Sequence, residues 1–80
     1  MTESEIKAKI EAHINCESVD VAGDGNHFET YVVSNDFEGK RAVARQQMVY
    51  AAVQAEIASG ELHALSIKTK TPAEHAQLNN

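Results

Sequence analysis

Histidine is the residue type in this 80-residue sequence best suited to binding a ligand, and the chain contains four. Two of them, His27 and His63, stand at the starts of predicted strands. His13 and His75 fall in predicted helices and are expected to be solvated. If the two strands run parallel, their starts lie at the same end of the sheet, so the two imidazoles could approach each other. Strand-edge histidines are also common without any ligand, and both interpretations stay open.

Two histidines would form only half of a metal site. Structural zinc takes four ligands, and the single cysteine, Cys16, allows neither a cysteine pair nor an intrachain disulfide. A 2Fe–2S cluster, in contrast, can be held by thiolates on one iron and by histidines on the other. The histidine pair therefore favours a site that another molecule completes. We interpret Cys16 itself as a small buried residue rather than a reactive thiol.

Charge allows two further interpretations. The formal net charge is −5, which argues against non-specific nucleic-acid binding, because such binding depends on neutralising phosphates. A local basic cluster is nevertheless present, with three members at the start of a long predicted helix and two on the last predicted strand: Lys40, Arg41, Arg45, Lys68 and Lys70. The cluster is either a solvated surface or a docking surface for an acidic protein, a thiol tripeptide or a nucleic-acid backbone.

The usual signatures of enzymes are missing from the sequence. The "GDG" at 23–25 leads into a predicted strand, whereas phosphate-binding glycine loops open helices. There is no nucleophile-elbow serine and no zinc-binding histidine pair at helical spacing. No apolar run reaches the about 18 residues needed to cross a bilayer, and no signal-peptide pattern opens the chain. We therefore predict a non-enzymatic, cytoplasmic protein.

The hydrophobic pattern predicts the elements that must position these residues. In chain order they are a helix over 3–14, strands over 18–22 and 27–34 joined by a turn at 23–26, a loop over 35–40, a helix over 41–59, a strand over 62–69 and a short helix from 72. The order α-β-β-α-β-α, with a crossover between the last two strands, predicts one α+β domain over residues 1–80. Its three-stranded mixed sheet packs against helices.

The core follows from the same pattern. Ile6, Ile10 and Ile14 form one stripe on the first helix, and Phe37 is expected to fold back from its loop onto the core. For the long helix, the residues available for a buried face are Val43, Val49, Val53 and Ile57. The last helix begins with a capping-box pattern, formed by Thr71, Pro72 and Glu74.

Three segments together carry a family resemblance: "GDGNHF", "FEGKRAVARQQMVYAAVQAEI" and "LHALSIKTKTPAEHA". In this order and spacing they resemble the BolA-like family across nearly the whole chain. The resemblance implies an α+β fold similar to a class II KH domain without its GXXG loop, and the sequence indeed contains no GXXG.

The resemblance also implies a partner and a cofactor. Family members pair with monothiol glutaredoxins and hold a glutathione-ligated 2Fe–2S cluster between the two proteins, so none is expected in the isolated chain. The family's histidine at the start of the last strand matches His63 in "LHAL". Its second ligand, from the hairpin loop, matches His27 in "GNHF". The function implied is that of an adaptor in iron–sulfur cluster trafficking or iron homeostasis.

One departure limits what can be transferred from the family. Many members carry a histidine in the long helix, where this chain reads "ARQQMVY", a run typical of one bacterial branch. Any role of that histidine is not transferred. The main alternative function is a nucleic-acid-binding transcriptional regulator that uses the basic cluster, and this alternative rests on fold analogy. A third is an interaction module without a cofactor, in which the histidines are incidental.

Overall fold

The computed structural model describes residues 1–23 and 27–78. In chain order, the elements are α1 (Glu3–His13), β1 (Ser18–Gly23), β2 (His27–Val33), a 3₁₀ turn (Asn35–Phe37), α2 (Ala42–Ala52), α3 (Gln54–Ser59), β3 (Ala64–Lys70) and α4 (Pro72–Leu78). The predicted α+β class is therefore confirmed. Most of the predicted turn at 23–26 lies outside the described residues. Within the described ranges, no helix is long and apolar enough to cross a bilayer.

The described strands form one mixed sheet in the order β1-β2-β3. β1 pairs with β2 antiparallel, and β2 pairs with β3 parallel, with Phe28 opposite Leu65. Side chains alternate along β2: Phe28, Thr30 and Val32 are buried, whereas His27 and Glu29 are exposed. The sheet therefore has one face packed under helices and one more open face, as the sequence predicted.

Residues from all three strands meet α1 and α2 in one core. The predicted stripe on α1 is fully buried, and so is Phe37 in the 3₁₀ turn. The core cluster consists of Ile6, Ile10, Ile14, Val19, Phe28, Val32, Phe37, Val49, Val53, Leu62, Leu65 and Ile67. A chain of this size buries only about 60% of the surface that its unfolded form exposes, so few residues make up this core.

Two helices begin with complete capping boxes. In α1, the Thr2 hydroxyl accepts from the Glu5 N–H at 3.2 Å, and the Glu5 carboxylate accepts from the Thr2 N–H at 3.0 Å. In α4, Thr71 and Glu74 make the same reciprocal pair at 3.2 and 2.8 Å. These local bonds satisfy N–H groups that a helix leaves without intrahelical partners. The predicted capping box of the last helix is confirmed.

The long helix predicted over 41–59 is interrupted at Val53, and the prediction of one continuous helix is wrong. Val53 has φ −124° and ψ 19°, and its N–H donates to the carbonyl of Tyr50, three residues back rather than four. The interruption separates α2 from α3. After α3, the N–H of Leu62 donates to the carbonyl of Glu56 and the Leu62 side chain enters the core. The short connection to β3 is thereby anchored.

Two further expectations need correction. Val43 is 69% exposed and Ile57 38% exposed, so only Val49 and Val53 form the buried face of the long helical segment. The last strand begins at Ala64 rather than at Leu62, because Leu62 packs into the core from the preceding connection. His63 therefore lies immediately before the strand rather than within it.

Candidate functional site

His27 and His63 lie beside each other at one end of the sheet. His27 is the first residue of β2, and its partner in the parallel register is Ala64, the residue after His63. Adjacent strands are about 4.8 Å apart, so the backbone of His27 neighbours that of Ala64, and His63 is the residue just before Ala64. Both side chains are exposed. The parallel crossover thus places the two histidines that the sequence singled out at the same end of the sheet.

The backbone at His63 is held from both sides. Before it, Gly60 ends α3 in the left-handed conformation with φ 85°, and Leu62 is buried. After it, Ala64 and Leu65 join the ladder with β2. An exposed imidazole on a backbone fixed at both neighbours is presented to solvent at a defined place, which is what a ligand for a second molecule requires.

The backbone at His27 is fixed by a close approach of β1. A Cβ added to Gly23 would meet the backbone oxygen of His27 and would lie 2.6 Å from the Phe28 ring. Only glycine fits at this position without a shift of β2. Gly23 thus has a role beyond the turn, since it lets the end of β1 pack against the residue that starts the candidate site.

The other two histidines lie away from this pair. His13 is the exposed last residue of α1. His75 on α4 is only partly exposed: its Nδ1 lies 3.0 Å from the Tyr31 hydroxyl, and the two rings meet edge to face at 5.5 Å. The expectation that His75 is solvated is therefore wrong. Its imidazole is part of the contact between α4 and the sheet.

Cys16 is a partly buried thiol whose Sγ lies 3.3 Å from the carbonyl oxygen of Ile14. Burial, together with the carboxylates of Glu11 and Asp36, raises the pKa of the Cys16 thiol. A raised pKa lowers the fraction of thiolate, the form that attacks electrophiles and binds metals. This environment agrees with the interpretation of Cys16 as a structural residue.

One member of the basic cluster, Arg45, is held in an ion pair, whereas the other members remain at least partly exposed. The Arg45 guanidinium bonds Glu74 at 2.8 and 3.4 Å, donates from Nε to the carbonyl of Lys40, and lies over the Phe37 ring. Its side chain is only 14% exposed, so Arg45 joins α2 to α4. Lys40, Arg41 and Lys68 are exposed, and Lys70 is partly exposed.

The cluster and the histidines lie at opposite ends of the sheet. Lys70 ends β3, whereas His63 precedes its start. Seven residues of strand span about 23 Å. The Arg45–Glu74 pair places the beginning of α2 near α4, which follows the end of β3. The structure therefore has the two histidines at one end of the sheet and the basic residues at the other.

The donor set of the histidine pair fits a shared cluster and not a complete metal site. Across residues 1–23 and 27–78, no group of three or more histidine, cysteine or acidic side chains could hold a metal ion. Two exposed imidazoles can supply the histidine side of a 2Fe–2S cluster, with thiolates from another molecule on the second iron. The arrangement suits half of a site completed across an interface.

Comparison with known proteins shows the family. A family model described as BolA-like protein matches residues 2–74, and the chain belongs to the BolA-like family. It is 39% identical over 77 residues to the acid stress protein IbaG of Escherichia coli K12, a match that covers 96% of this chain and 92% of IbaG. This similarity supports the IbaG branch of the family.

Solved structures show the same fold. A Bol-like protein from Babesia bovis superposes with a TM-score of 0.87 at 28% identity, covering 100% of this chain and 95% of that one. The BolA domain of SufE1 from Arabidopsis thaliana gives a TM-score of 0.79 at 38% identity, covering 90% and 93%. Together with the family match, the likeness to the BolA domain of SufE1 fits an iron–sulfur related role.

Sequence reasoning missed one exposed surface. Val43, Tyr50 and Ile57 lie on the outer side of α2 and α3 rather than in the core. Their spacing of seven residues was a usable signal, because on the continuous helix that the sequence predicted it puts all three on one stripe. The same predicted helix carries a second apolar set, Val49 and Val53, and the sequence pattern did not separate the exposed set from the buried one.

Proposed function

We propose that this protein is a non-enzymatic adaptor that binds a monothiol glutaredoxin and helps to ligate a glutathione-linked 2Fe–2S cluster, with His63 and His27 as its ligands. The role is cluster trafficking or iron homeostasis. Membership of the BolA-like family supports the iron–sulfur role. The observation that carries the ligand assignment is the placement of two exposed imidazoles at one end of β2 and β3.

The thiolates of this site come from the partner. Cys16 lies near the end of β2, since the N–H of Glu17 donates to the carbonyl of Val33. Val33 is six residues along β2 from His27, or about 20 Å of strand. Cys16 also has a raised pKa, so it is a poor thiolate ligand at neutral pH. Glutaredoxin and glutathione supply the sulfur ligands, which fits the cytoplasm, where thiols are kept reduced.

Imidazole ligands give such a cluster two properties. Neutral histidine adds no negative charge, so it raises the reduction potential relative to all-thiolate ligation. Ligation also requires a ring nitrogen that carries no proton, so metal binding by histidine competes with protonation. His63 and His27 would therefore make the shared cluster sensitive to pH.

The assignment predicts that each histidine changes the cluster's spectrum. We expect His63→Ala and His27→Ala, each co-purified with a monothiol glutaredoxin and glutathione, to alter the visible absorption and circular dichroism of the complex. His63→Ala is expected to have the larger effect, because its backbone is held by the buried Leu62 as well as by the strand. Iron and sulfide content per complex would be measured on the same samples.

The matched control is His13→Ala, which removes an exposed histidine at the end of α1. It should leave the spectrum and the iron content unchanged. If the complex with wild-type protein contains no iron, the cluster role is wrong. If iron is present but both His27→Ala and His63→Ala preserve the spectrum, the ligand assignment is wrong and the adaptor role stands.

A further inference from the structure

The outer side of α2 and α3 carries an exposed apolar stripe. Of the four large hydrophobic side chains exposed among the described residues, three lie here: Val43, Tyr50 at 40% and Ile57. Gln47 and Gln54 fall between them, so the stripe has the alternating spacing of four and three residues found along seams between packed helices. This stripe is a surface suited to receiving another helix.

Two hollows flank Tyr50 along the stripe. The first, about 390 Å³, is lined by Gln47, Tyr50, Ala51, Gln54, Ile57 and Ala58. Because residues of both α2 and α3 line it, the surface continues across the interruption at Val53. The second, about 300 Å³, lies on the other side of Tyr50 beside Val43. The Tyr50 hydroxyl donates to the carbonyl of Leu65, which holds this ring between the two hollows.

Charged side chains of α2 and α3 are turned away from the stripe. Arg45 pairs with Glu74 on α4, and Glu56 pairs with Lys9 on α1 at 3.4 Å. The stripe itself is formed by valine, isoleucine, tyrosine, glutamine and alanine. In a chain with a net charge of −5, this uncharged face is where a second copy meets the least electrostatic repulsion.

Charges of opposite sign stand at the two ends of the stripe. Lys40 and Arg41 precede α2, Glu61 follows α3, and all three are exposed. Tyr50 is at the centre, with Val43 seven residues before it and Ile57 seven residues after. A twofold axis near Tyr50 therefore sets Val43 against Ile57 of a second copy, and it sets Lys40 and Arg41 against the second copy's Glu61. The surface is self-complementary, as a twofold interface must be.

We propose that the α2–α3 stripe is an antiparallel homodimer interface of this protein. It does not depend on the proposed cluster role, because the isolated chain contains every residue involved. Three large side chains on the joined outer side of α2 and α3 make a small interface, so we expect a dissociation constant on the order of 100 µM.

Sedimentation equilibrium of the full chain over a range of concentrations tests the interface. The average mass of the wild type should rise from 8.7 kDa towards twice that value. Val43→Glu should raise the dissociation constant by at least about tenfold, since it buries a carboxylate opposite Ile57. At the second position of α2, glutamate also suits the helix dipole, so the fold is preserved. Leu78→Glu, at a 62% exposed position on α4, should leave the dissociation constant unchanged.

Charge reversal and cross-linking test the antiparallel register. Glu61→Lys should weaken association, and combining it with Lys40→Glu and Arg41→Glu should restore it, because the ends are then complementary again. In a Cys16→Ser background, Val43→Cys with Ile57→Cys should form disulfide-linked dimers under oxidising conditions, whereas Val43→Cys alone should not. Thermal unfolding of each variant confirms that it is folded.

Three results would overturn the proposal. The first is a wild-type chain that stays monomeric up to about 1 mM, which is roughly ten times the expected dissociation constant. That result is expected if the stripe binds a different protein and not a second copy. Another is equal dimerisation of the Val43→Glu variant and the wild type. A third is cross-linking of Val43→Cys alone, which would mean a parallel arrangement.

Discussion

At the scale of single residues, the Ser34 side chain links the segment between α1 and β1 to the 3₁₀ turn that follows β2. It is fully buried at the end of β2, where its hydroxyl donates to the carbonyl of Asn15 at 2.6 Å and accepts from the N–H of Asp36 at 3.0 Å. The Asp36 carboxylate in turn accepts from the N–H of Asn15. The bond from the Asp36 N–H caps the 3₁₀ turn and joins residues two apart in the chain. The bond to Asn15 joins residues 19 apart, and no local pattern in the sequence predicts it.

Replacing Ser34 should therefore destabilise the fold. We expect Ser34→Ala to lower the free energy of unfolding by about 1–3 kcal/mol, because it removes both hydrogen bonds made by a fully buried hydroxyl. Urea unfolding followed by circular dichroism measures this change. Ser66→Ala, at an exposed position on β3, is the matched control and should change stability by less than about 0.5 kcal/mol. Equal effects of the two substitutions would contradict the role assigned to Ser34.

At the scale of elements, α4 is held to the rest of the molecule by polar contacts. Arg45 of α2 bonds Glu74, and Tyr31 of β2 contacts His75. No residue of α4 within Pro72–Leu78 is buried. Hydrogen bonds from the Arg45 guanidinium and from the Thr71 N–H lower the pKa of Glu74 to about 2. The attachment of α4 thus depends on an ionised carboxylate.

This attachment should be sensitive to acid. Because the pKa of Glu74 is lower in the folded chain than its usual value near 4.5, its stabilising effect is complete above pH 4.5 and is lost as the pH falls towards 2. We expect Glu74→Gln to be less stable than the wild type at neutral pH and to lose less stability in this acidic range. Thermal unfolding between pH 2 and pH 7 compares the two proteins.

The control for the acid experiment is Glu29→Gln, which removes an exposed carboxylate from β2. Its loss of stability in acid should parallel that of the wild type. Added salt should reduce the difference between wild type and Glu74→Gln at neutral pH, because the carboxylate is partly exposed and its charge is screened. A Glu74→Gln curve parallel to the wild type from pH 4.5 to 2 would show that the ion pair does not hold α4.

At the scale of the whole molecule, a small core supports two separate surfaces. The histidine pair is at the start of β2 and β3, and the basic cluster is at their other end. Phe37 reaches back from the 3₁₀ turn into the core, where Arg45 covers its ring. One aromatic residue therefore helps to hold the turn, α2 and the sheet in their relative positions.

Removing that aromatic side chain should affect the entire fold. We expect Phe37→Ala to cost about 3–5 kcal/mol, a large part of the roughly 4–12 kcal/mol typical of an 80-residue chain. Urea unfolding would show a lower midpoint, or an already partly unfolded protein in the absence of urea. Val43→Ala, at an exposed position, is expected to change stability by less than about 0.5 kcal/mol. A larger effect at Val43 than at Phe37 would contradict the observed burial.

Local patterns in the sequence determined most of the architecture. The stripe of Ile6, Ile10 and Ile14 predicted the buried face of α1, and the capping residues around Pro72 predicted the start of α4, because both depend on neighbours within one or two helical turns. Parallel pairing of the last two strands followed from the crossover rule. Because parallel strands start at the same end of a sheet, that pairing also put His27 and His63 at one end of the sheet.

Contacts between distant residues decided the rest. The segment from 42 to 59 carries two apolar stripes, and only packing against the sheet decided that Val49 and Val53 are buried while Val43 stays exposed. Likewise, the partners of Arg45 and His75 lie 29 and 44 residues away in the chain. Periodicity shows that a helix has an apolar face, but it cannot show which face meets the core or which charge finds a partner, because tertiary packing settles both.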